Sequence, residues 1–213
     1  FNMGNKTDAV TWLKQAYQKS PANIETASNL ALILQSEKNY SEAIPIYETI
    51  LKSKSDVPEI LFNYAVALDQ ANFLVKAETT YKKIIDLRKD FGPAFYNIGL
   101  LTKKRGNLEQ AISYLERAAE LMSNNAEVLA ALGSVLKENG DYEKAKENTL
   151  RAISIKKDAR FYFNLATVFR DQGDLASAKE QYNLALHFNK NFPEAYNNLC
   201  LLYTSDAADD RVS

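Results

Sequence analysis

A six-residue phrase that closes on alanine recurs along this chain and sets its period. Clear copies are GNLEQA at 106–111, GDYEKA at 140–145 and GDLASA at 173–178. Successive closing alanines lie 34, 34, 34, 34 and 33 residues apart, at Ala9, Ala43, Ala77, Ala111, Ala145 and Ala178. A fixed period of this size indicates a repeat architecture, in which each repeat buries its apolar surface against the next. We therefore expect the chain to fold as a tandem array.

Within one period the apolar residues fall at helical spacing on two separate faces. In residues 92–125, Phe95 and Ile98 share one face, while Leu108 and Leu115 share another. Two amphipathic helices per repeat follow from this spacing. The predicted fold class is therefore all-α.

The repeated phrase itself indicates the corner between the two helices. Gly106 can adopt the left-handed conformation that ends a helix, and Asn107 can cap the start of the next one. The closing alanine is expected to be small because the two helices cross there at close range. At two corners the glycine column holds Lys38 and Asn72 instead.

This pattern resembles the tetratricopeptide repeat family. The period, the small-residue columns, the corner and an aromatic column at Tyr47, Tyr81 and Tyr182 all agree with it. The resemblance implies an α–α superhelix, a right-handed solenoid of antiparallel helix pairs. The expected organisation is a single array over 1–203, with a half repeat 1–23, repeats 24–57, 58–91, 92–125, 126–158 and 159–192, and a half repeat 193–203.

Both ends of the array fall inside a repeat, which predicts that the chain is a fragment of a longer protein. Residues 204–213 are expected to form a tail outside the repeats. From about Cys200 onward the string CLLYTSDAADDRVS resembles translated sequencing-adapter sequence, and the alternative is a natural acidic tail.

Charge and hydropathy exclude several classes of partner. Lysine and arginine number 26 against 27 acidic residues, a net charge of −1, whereas nucleic-acid binding needs an excess of cations. RNA binding of the pentatricopeptide type, which has a 35-residue period and a basic composition, is disfavoured for the same reason. No apolar run approaches the roughly 20 residues that span a bilayer. We therefore expect no nucleic-acid and no membrane partner, and a cytoplasmic location.

The residues that usually carry chemistry are scarce. The chain has one histidine, His187, and one cysteine, Cys200, which cannot form a metal site without converging carboxylates. No phosphate-binding glycine motif occurs. We therefore expect no enzyme activity, cofactor, metal or small-molecule substrate. The single tryptophan, Trp12, is expected to pack in the core.

The family resemblance places particular positions of each first helix on the concave side of the superhelix. The sixth residue is asparagine in five of six repeats, at Asn29, Asn63, Asn97, Asn164 and Asn198. A primary amide both donates and accepts, so these residues can pair with the backbone of an extended peptide. The arrangement is similar to the asparagine ladder in the repeat domain of O-linked N-acetylglucosamine transferases. The alternative is that the amides bond within or between helices.

Two further groups complete the predicted peptide-binding groove. The fifth residue of three repeats is aromatic and can either seat apolar ligand side chains or pack against a neighbouring repeat; these are Phe62, Tyr96 and Phe163. Cations near the ends of first helices can either receive an acidic ligand or form a solvated face; they include Lys103, Lys137 and Arg170.

These features predict a protein–protein interaction scaffold that binds a peptide or protein segment in the concave groove. The alternative is that the array recruits substrates for a larger enzyme, a glycosyltransferase or sulfotransferase, whose catalytic domain is missing from this fragment.

Overall fold

The computed structural model describes residues 6–209, with side chains described for residues 9–202. Every regular element in that part of the chain is an α-helix, so the expected all-α class is confirmed. The helices are α1 (Lys6–Lys19), α2 (Ile24–Ser36), α3 (Tyr40–Ser53), α4 (Pro58–Gln70), α5 (Leu74–Leu87), α6 (Gly92–Lys104), α7 (Leu108–Leu121), α8 (Ala126–Glu138), α9 (Tyr142–Ile155), α10 (Ala159–Asp171), α11 (Leu175–Phe188) and α12 (Pro193–Asp209).

The chain divides into two compact units, an N-terminal unit of residues 1–101 and a C-terminal unit of residues 102–213. In the N-terminal unit α2 packs on α3 and α4 on α5, and α2 also contacts α4. In the C-terminal unit α8 packs on α9 and α10 on α11, and α8 also contacts α10. In each unit, therefore, the first helix of one pair lies beside the first helix of the next pair.

The closing alanines lie where paired helices cross. Ala43, Ala77, Ala111, Ala145 and Ala178 are all fully buried. The aromatic column is buried as well, with no exposed surface on Tyr47, Tyr81 or Tyr182. Small residues at the crossing and large rings beside it fill the space between the two helices of a pair.

The corners adopt the left-handed conformation in every repeat. Gly106, Gly140 and Gly173 have φ of 83°, 85° and 84°, and the non-glycine corners Lys38 and Asn72 follow with φ of 61° and 66°. A side chain makes this conformation costly for most residues, although asparagine tolerates it. The fold therefore imposes strain at Lys38.

Replacing Lys38 with glycine should raise the free energy of unfolding by about 0.5–1 kcal/mol, because the left-handed strain exceeds the entropy that glycine adds to the unfolded chain. Chemical denaturation followed by circular dichroism measures the change. Asn72→Gly is the matched control and should give a smaller gain. Equal gains at both corners, or a loss at Lys38, would contradict this explanation.

Two places differ from, or extend beyond, what the sequence predicts. Trp12 is 70% exposed on α1, so the prediction that it packs in the core is wrong. Its helix covers the next pair with Val10, Leu13 and Tyr17 instead. At the other end, residues 204–209 of the expected tail continue α12, and residues 210–213 lie outside the described part.

Within the described residues, no helix has the length and apolar character that crossing a membrane requires.

Candidate functional site

In the N-terminal unit, three predicted groove asparagines lie on the first helices of their pairs. Asn29 on α2 is exposed, while Asn63 on α4 and Asn97 on α6 are half-buried. The side-chain amides of Asn29 and Asn63 make no hydrogen bond to any other described residue. These two amides are therefore able to accept a partner.

Asn97 has a second role, because its amide lies beside the hydroxyl of Tyr81. Burial raises the pKa of Tyr81, the nearby carboxylate of Asp69 raises it further, and the Asn97 amide partly offsets both. Within the described residues, the Tyr81 hydroxyl has no hydrogen-bond partner of good geometry. Contact with a neighbouring helix, the alternative considered for these asparagines, therefore applies at Asn97.

Two of the predicted groove aromatics, Phe62 and Phe163, pack on other rings. The ring centroid of Phe62 lies 6.2 Å from that of Tyr81 and 5.3 Å from that of Phe91, at tilted angles. In the C-terminal unit, Phe163 lies 5.6 Å from Tyr182 and has a second aromatic neighbour at 5.0 Å. Phe62, Tyr96 and Phe163 are all half-buried, so each ring contributes a wall and keeps only part of its surface free.

The predicted cations of the C-terminal unit are engaged in ion pairs. The Nζ of Lys103 lies 2.6 Å from Oε1 of Glu138, and the Nζ of Lys137 lies 3.4 Å from Oδ2 of Asp171. The Nη2 of Arg170 also pairs with Oδ1 of Asp171, at 2.7 Å. Lys103 and Lys137 therefore each connect a first helix to the next first helix of the array, whereas Arg170 pairs with an acid of its own helix.

The arrangement around Asp171 fixes its charge. Burial raises the pKa of this carboxyl, but the hydrogen bond from Arg170 and the positive charges of Lys137 and Arg170 outweigh burial and hold the pKa below its usual value. Arg170 also donates from Nη1 to Oδ1 of Asn198 at 3.2 Å, so the amide oxygen of Asn198 is already occupied.

A cavity of about 100 Å³ opens in the C-terminal unit where α8, α9 and α10 meet. Its lining residues are Gly133, Ser134, Lys137, Thr149, Phe163, Asn164, Thr167 and Val168. Three predicted groove residues, Lys137, Phe163 and Asn164, therefore come together here. The side-chain amide of Asn164 makes no hydrogen bond within the described residues. Because it brings together three of the predicted groove residues, this cavity is the candidate site in the C-terminal unit.

Other predicted groove residues do not line this cavity. Lys103 and Asn198 belong to the same unit but lie outside it. A shallower depression in the N-terminal unit, of about 350 Å³, contains none of the predicted residues and is lined by Leu32, Gln35, Ser36, Lys38, Tyr40 and Gln70.

The sequence analysis did not identify several residues that line these two depressions. Leu32 and Ser134 are ninth residues and Gln35 is a twelfth residue of their repeats, positions that the family resemblance already assigns to the concave side. Gly133 and Thr149 had a weaker signal. Thr149 is smaller than the tyrosines and the leucine of its column, whereas the column of Gly133 is small throughout, and only the packing of three helices shows that a cavity results.

Comparison with protein families agrees with this geometry. Three family models described as tetratricopeptide repeat match residues 29–90, 104–161 and 159–192. The chain belongs to the tetratricopeptide repeat (TPR) family. The expectation drawn from the period, the corners and the aromatic column is thus confirmed.

Characterised relatives of this TPR chain are distant. Photosystem I assembly protein Ycf3 of Cyanophora paradoxa is 31% identical over 75 residues, which cover 33% of this chain and 43% of that protein. Protein O-mannosyl-transferase TMTC3 of Homo sapiens is 25% identical over 202 residues, which cover 92% of this chain and 22% of that protein. The chain therefore spans less than half the length of these relatives.

Solved structures of similar fold include YrrB, described as a TPR protein with an unusual peptide-binding site. It aligns with a TM-score of 0.72 and 19% identity over 87% of this chain and 96% of YrrB. PilF of Pseudomonas aeruginosa aligns with a TM-score of 0.76 and 20% identity over 97% of this chain and 90% of that chain. At such identities the likeness shows the fold alone, the α–α superhelix class of antiparallel helix pairs.

Proposed function

We propose that this chain is a protein-interaction scaffold, and that the cavity between α8, α9 and α10 binds an extended segment of a partner polypeptide. One observation carries the proposal. At the cavity, the amide of Asn164 is unpaired within the described residues, next to the half-buried ring of Phe163 and the half-buried stem of Lys137. An unpaired amide beside apolar surface can bind a peptide bond and its adjacent side chain together.

The chemistry of the lining favours backbone recognition over charge recognition. The Asn164 amide can donate to a peptide carbonyl and accept from a peptide N–H at the same time. Lys137 is already paired with Asp171, so a ligand carboxylate would have to compete with that ion pair. The ring of Phe163, held by its aromatic neighbours, supplies a rigid wall of low conformational entropy.

Membership of the TPR family supports a scaffold role for the protein as a whole. TPR arrays present rigid surfaces made from repeated helix pairs, and Ycf3, one of the relatives, is named as an assembly protein. We expect the partner to be a protein or peptide in the cytoplasm. The net charge of −1 speaks against a nucleic-acid partner.

Asn164→Ala tests the role of the amide. Peptides selected against the whole chain from a random dodecapeptide library should bind this variant about tenfold more weakly, because the loss of one or two hydrogen bonds to a peptide bond costs about 1–1.5 kcal/mol. Isothermal titration calorimetry measures the affinity.

The matched control is Asn183→Ala, which removes an exposed asparagine from α11. This variant should bind the same peptides as tightly as the original chain does. Unchanged affinity in the Asn164 variant, with its helical circular dichroism intact, would remove Asn164 from the site. Failure to select any binding peptide would overturn the proposed function.

A second candidate is a substrate-recruiting arm of a larger enzyme. The match to TMTC3, an O-mannosyl-transferase by name, covers 92% of this chain and only 22% of the relative, which favours this possibility. Sequencing the intact gene decides it. A glycosyltransferase or sulfotransferase domain in the same reading frame would support the arm, and a gene that encodes TPR repeats alone would refute it.

A further inference from the structure

The cavity lies beside a second-helix position at which three of the five full repeats carry a tyrosine and repeat 126–158 does not. Three repeats place tyrosine in the same column, at Tyr47, Tyr81 and Tyr182, and all three rings are fully buried. In repeat 126–158 this column holds Thr149, which is also fully buried. A threonine is much smaller than a tyrosine, so the repeat lacks the volume of a phenol ring at this point.

The neighbouring helix α8 packs closely against Thr149. Gly133 faces Thr149 from α8 without a side chain, and a Cβ built there would lie 2.5 Å from the Thr149 Oγ1. The cavity of about 100 Å³ begins at these two residues and is completed by α10. The cavity is therefore bordered by the residue that stands where three other repeats place a buried tyrosine.

The inner part of the cavity is apolar despite its two threonines. The Thr149 hydroxyl donates to the carbonyl oxygen of Ala145 at 2.7 Å. The Thr167 hydroxyl donates to the carbonyl oxygen of Asn164 at 2.7 Å. With both hydroxyls satisfied, what remains are methyl groups, the buried side chain of Val168 and the Phe163 ring. Such a lining does not hold water well, because a buried water needs several polar partners.

The outer part of the cavity is polar and half-buried. Ser134, Lys137 and Asn164 are the half-buried polar residues of the lining. Lys137 pairs with Asp171, a carboxylate that it shares with Arg170, so an acidic ligand group would compete with an existing ion pair. The unpaired Asn164 amide therefore stands beside an opening that accepts an uncharged side chain.

We infer that this cavity binds one branched aliphatic side chain, of leucine or isoleucine size, carried by an extended segment of a partner protein. The inference rests on the proposed function and specifies its ligand. The volume favours an aliphatic group over an aromatic one, because an apolar cavity of about 150 Å³ is the size that accommodates benzene. The aliphatic side chain lies against Thr149 and Val168, and Asn164 pairs with the adjacent peptide bond.

Peptide selection on the whole chain provides the first test. Peptides isolated from a random dodecapeptide library should share a leucine or isoleucine at one aligned position. Replacing that residue with alanine should weaken binding tenfold to a hundredfold, as expected for the loss of a fully buried aliphatic side chain. Binding peptides without a shared aliphatic position would overturn the inference.

Thr149→Tyr fills the cavity from within the protein. The selected peptides should bind this variant at least tenfold more weakly, and the alanine replacement in the peptide should then cost little more, since both changes remove the same contact. Thr149→Val is the matched control because it keeps the size of the side chain, and should bind the peptides within about twofold of the original chain. Full affinity in a folded Thr149→Tyr variant would refute the pocket.

Thr149→Ala keeps the inference testable if the tyrosine variant does not fold. This change enlarges the cavity, so the peptide preference should shift from leucine towards methionine or phenylalanine at the aligned position. An unchanged preference would also refute the pocket.

The two proposals fail in different ways. Binding that is lost in Asn164→Ala but unaffected at Thr149 would leave the scaffold function standing and remove the aliphatic pocket. Failure to select any binding peptide would overturn both.

Discussion

Replacement of Tyr81 with alanine should lower the free energy of unfolding by about 3–5 kcal/mol. The ring is fully buried between the helices of its pair and packs with Phe62 at 6.2 Å. Its removal leaves a cavity in a repeat whose small alanines cannot move inward to fill it. Urea denaturation followed by circular dichroism measures the loss.

Phenylalanine separates the ring of Tyr81 from its hydroxyl. The hydroxyl is buried without a hydrogen bond of good geometry in the described residues, so Tyr81→Phe should be neutral or slightly stabilising. The matched control is Tyr47→Phe, which should lose about 1 kcal/mol because the Tyr47 hydroxyl donates to Oε1 of Gln35 at 3.1 Å. Equal losses in the two phenylalanine variants would contradict this distinction.

Gly133→Ala should lower the free energy of unfolding by about 2 kcal/mol, because it overpacks a fixed contact. The added Cβ would lie 2.5 Å from the Oγ1 of Thr149 and 3.0 Å from the carbonyl oxygen of Ala145. The threonine is buried and hydrogen-bonded, so it cannot turn aside without breaking its bond to that carbonyl. Thermal and urea denaturation both report the change.

The control for Gly133→Ala is the double variant with Thr149→Ala. Removing the Oγ1 relieves the shorter of the two contacts, so the alanine at 133 should cost less in this background than alone. The comparison has a counterpart within the chain, since Ala31, Ala65 and Ala166 occupy the same column in other repeats. A cost that did not depend on residue 149 would assign the effect to the helix backbone instead.

The arrangement of helices could be predicted from the sequence because it depends on local rules. Apolar spacing fixed the helix pairs, and the corner phrase placed Asn107 as a cap, where its Oδ1 accepts from the backbone N–H of Gln110 at 3.1 Å. The same rules identified Lys38 and Asn72 as substitutes for glycine, and both residues are left-handed in the structure. Helical spacing and corner conformation depend on residues a few positions apart, so both can be predicted without knowledge of tertiary contacts.

Side-chain surroundings were harder to predict, because they depend on which neighbour arrives. Trp12 lies on a face of α1 that does not pack on the next helix pair, and its side chain is 70% exposed. Lys103 and Lys137 read as a cluster of cations, yet each meets an acid from the next first helix. The cavity borders Thr149, where three other repeats have a tyrosine. Whether a smaller residue leaves a cavity depends on how the three surrounding helices pack, which the sequence does not show.

The ion pairs between successive first helices have a consequence for how such a chain can change in length. Lys103 pairs with Glu138 and Lys137 with Asp171, partners that lie about one period further along the sequence. Duplication or loss of the period that contains Lys137 and Glu138 would again place a lysine opposite an acid, whereas the earlier repeats carry Gln35–Ser36 and Asp69–Gln70 at these positions. Insertions of other lengths would separate these charges. Growth of the gene by whole copies of that period would thus preserve the ion pairs between successive first helices.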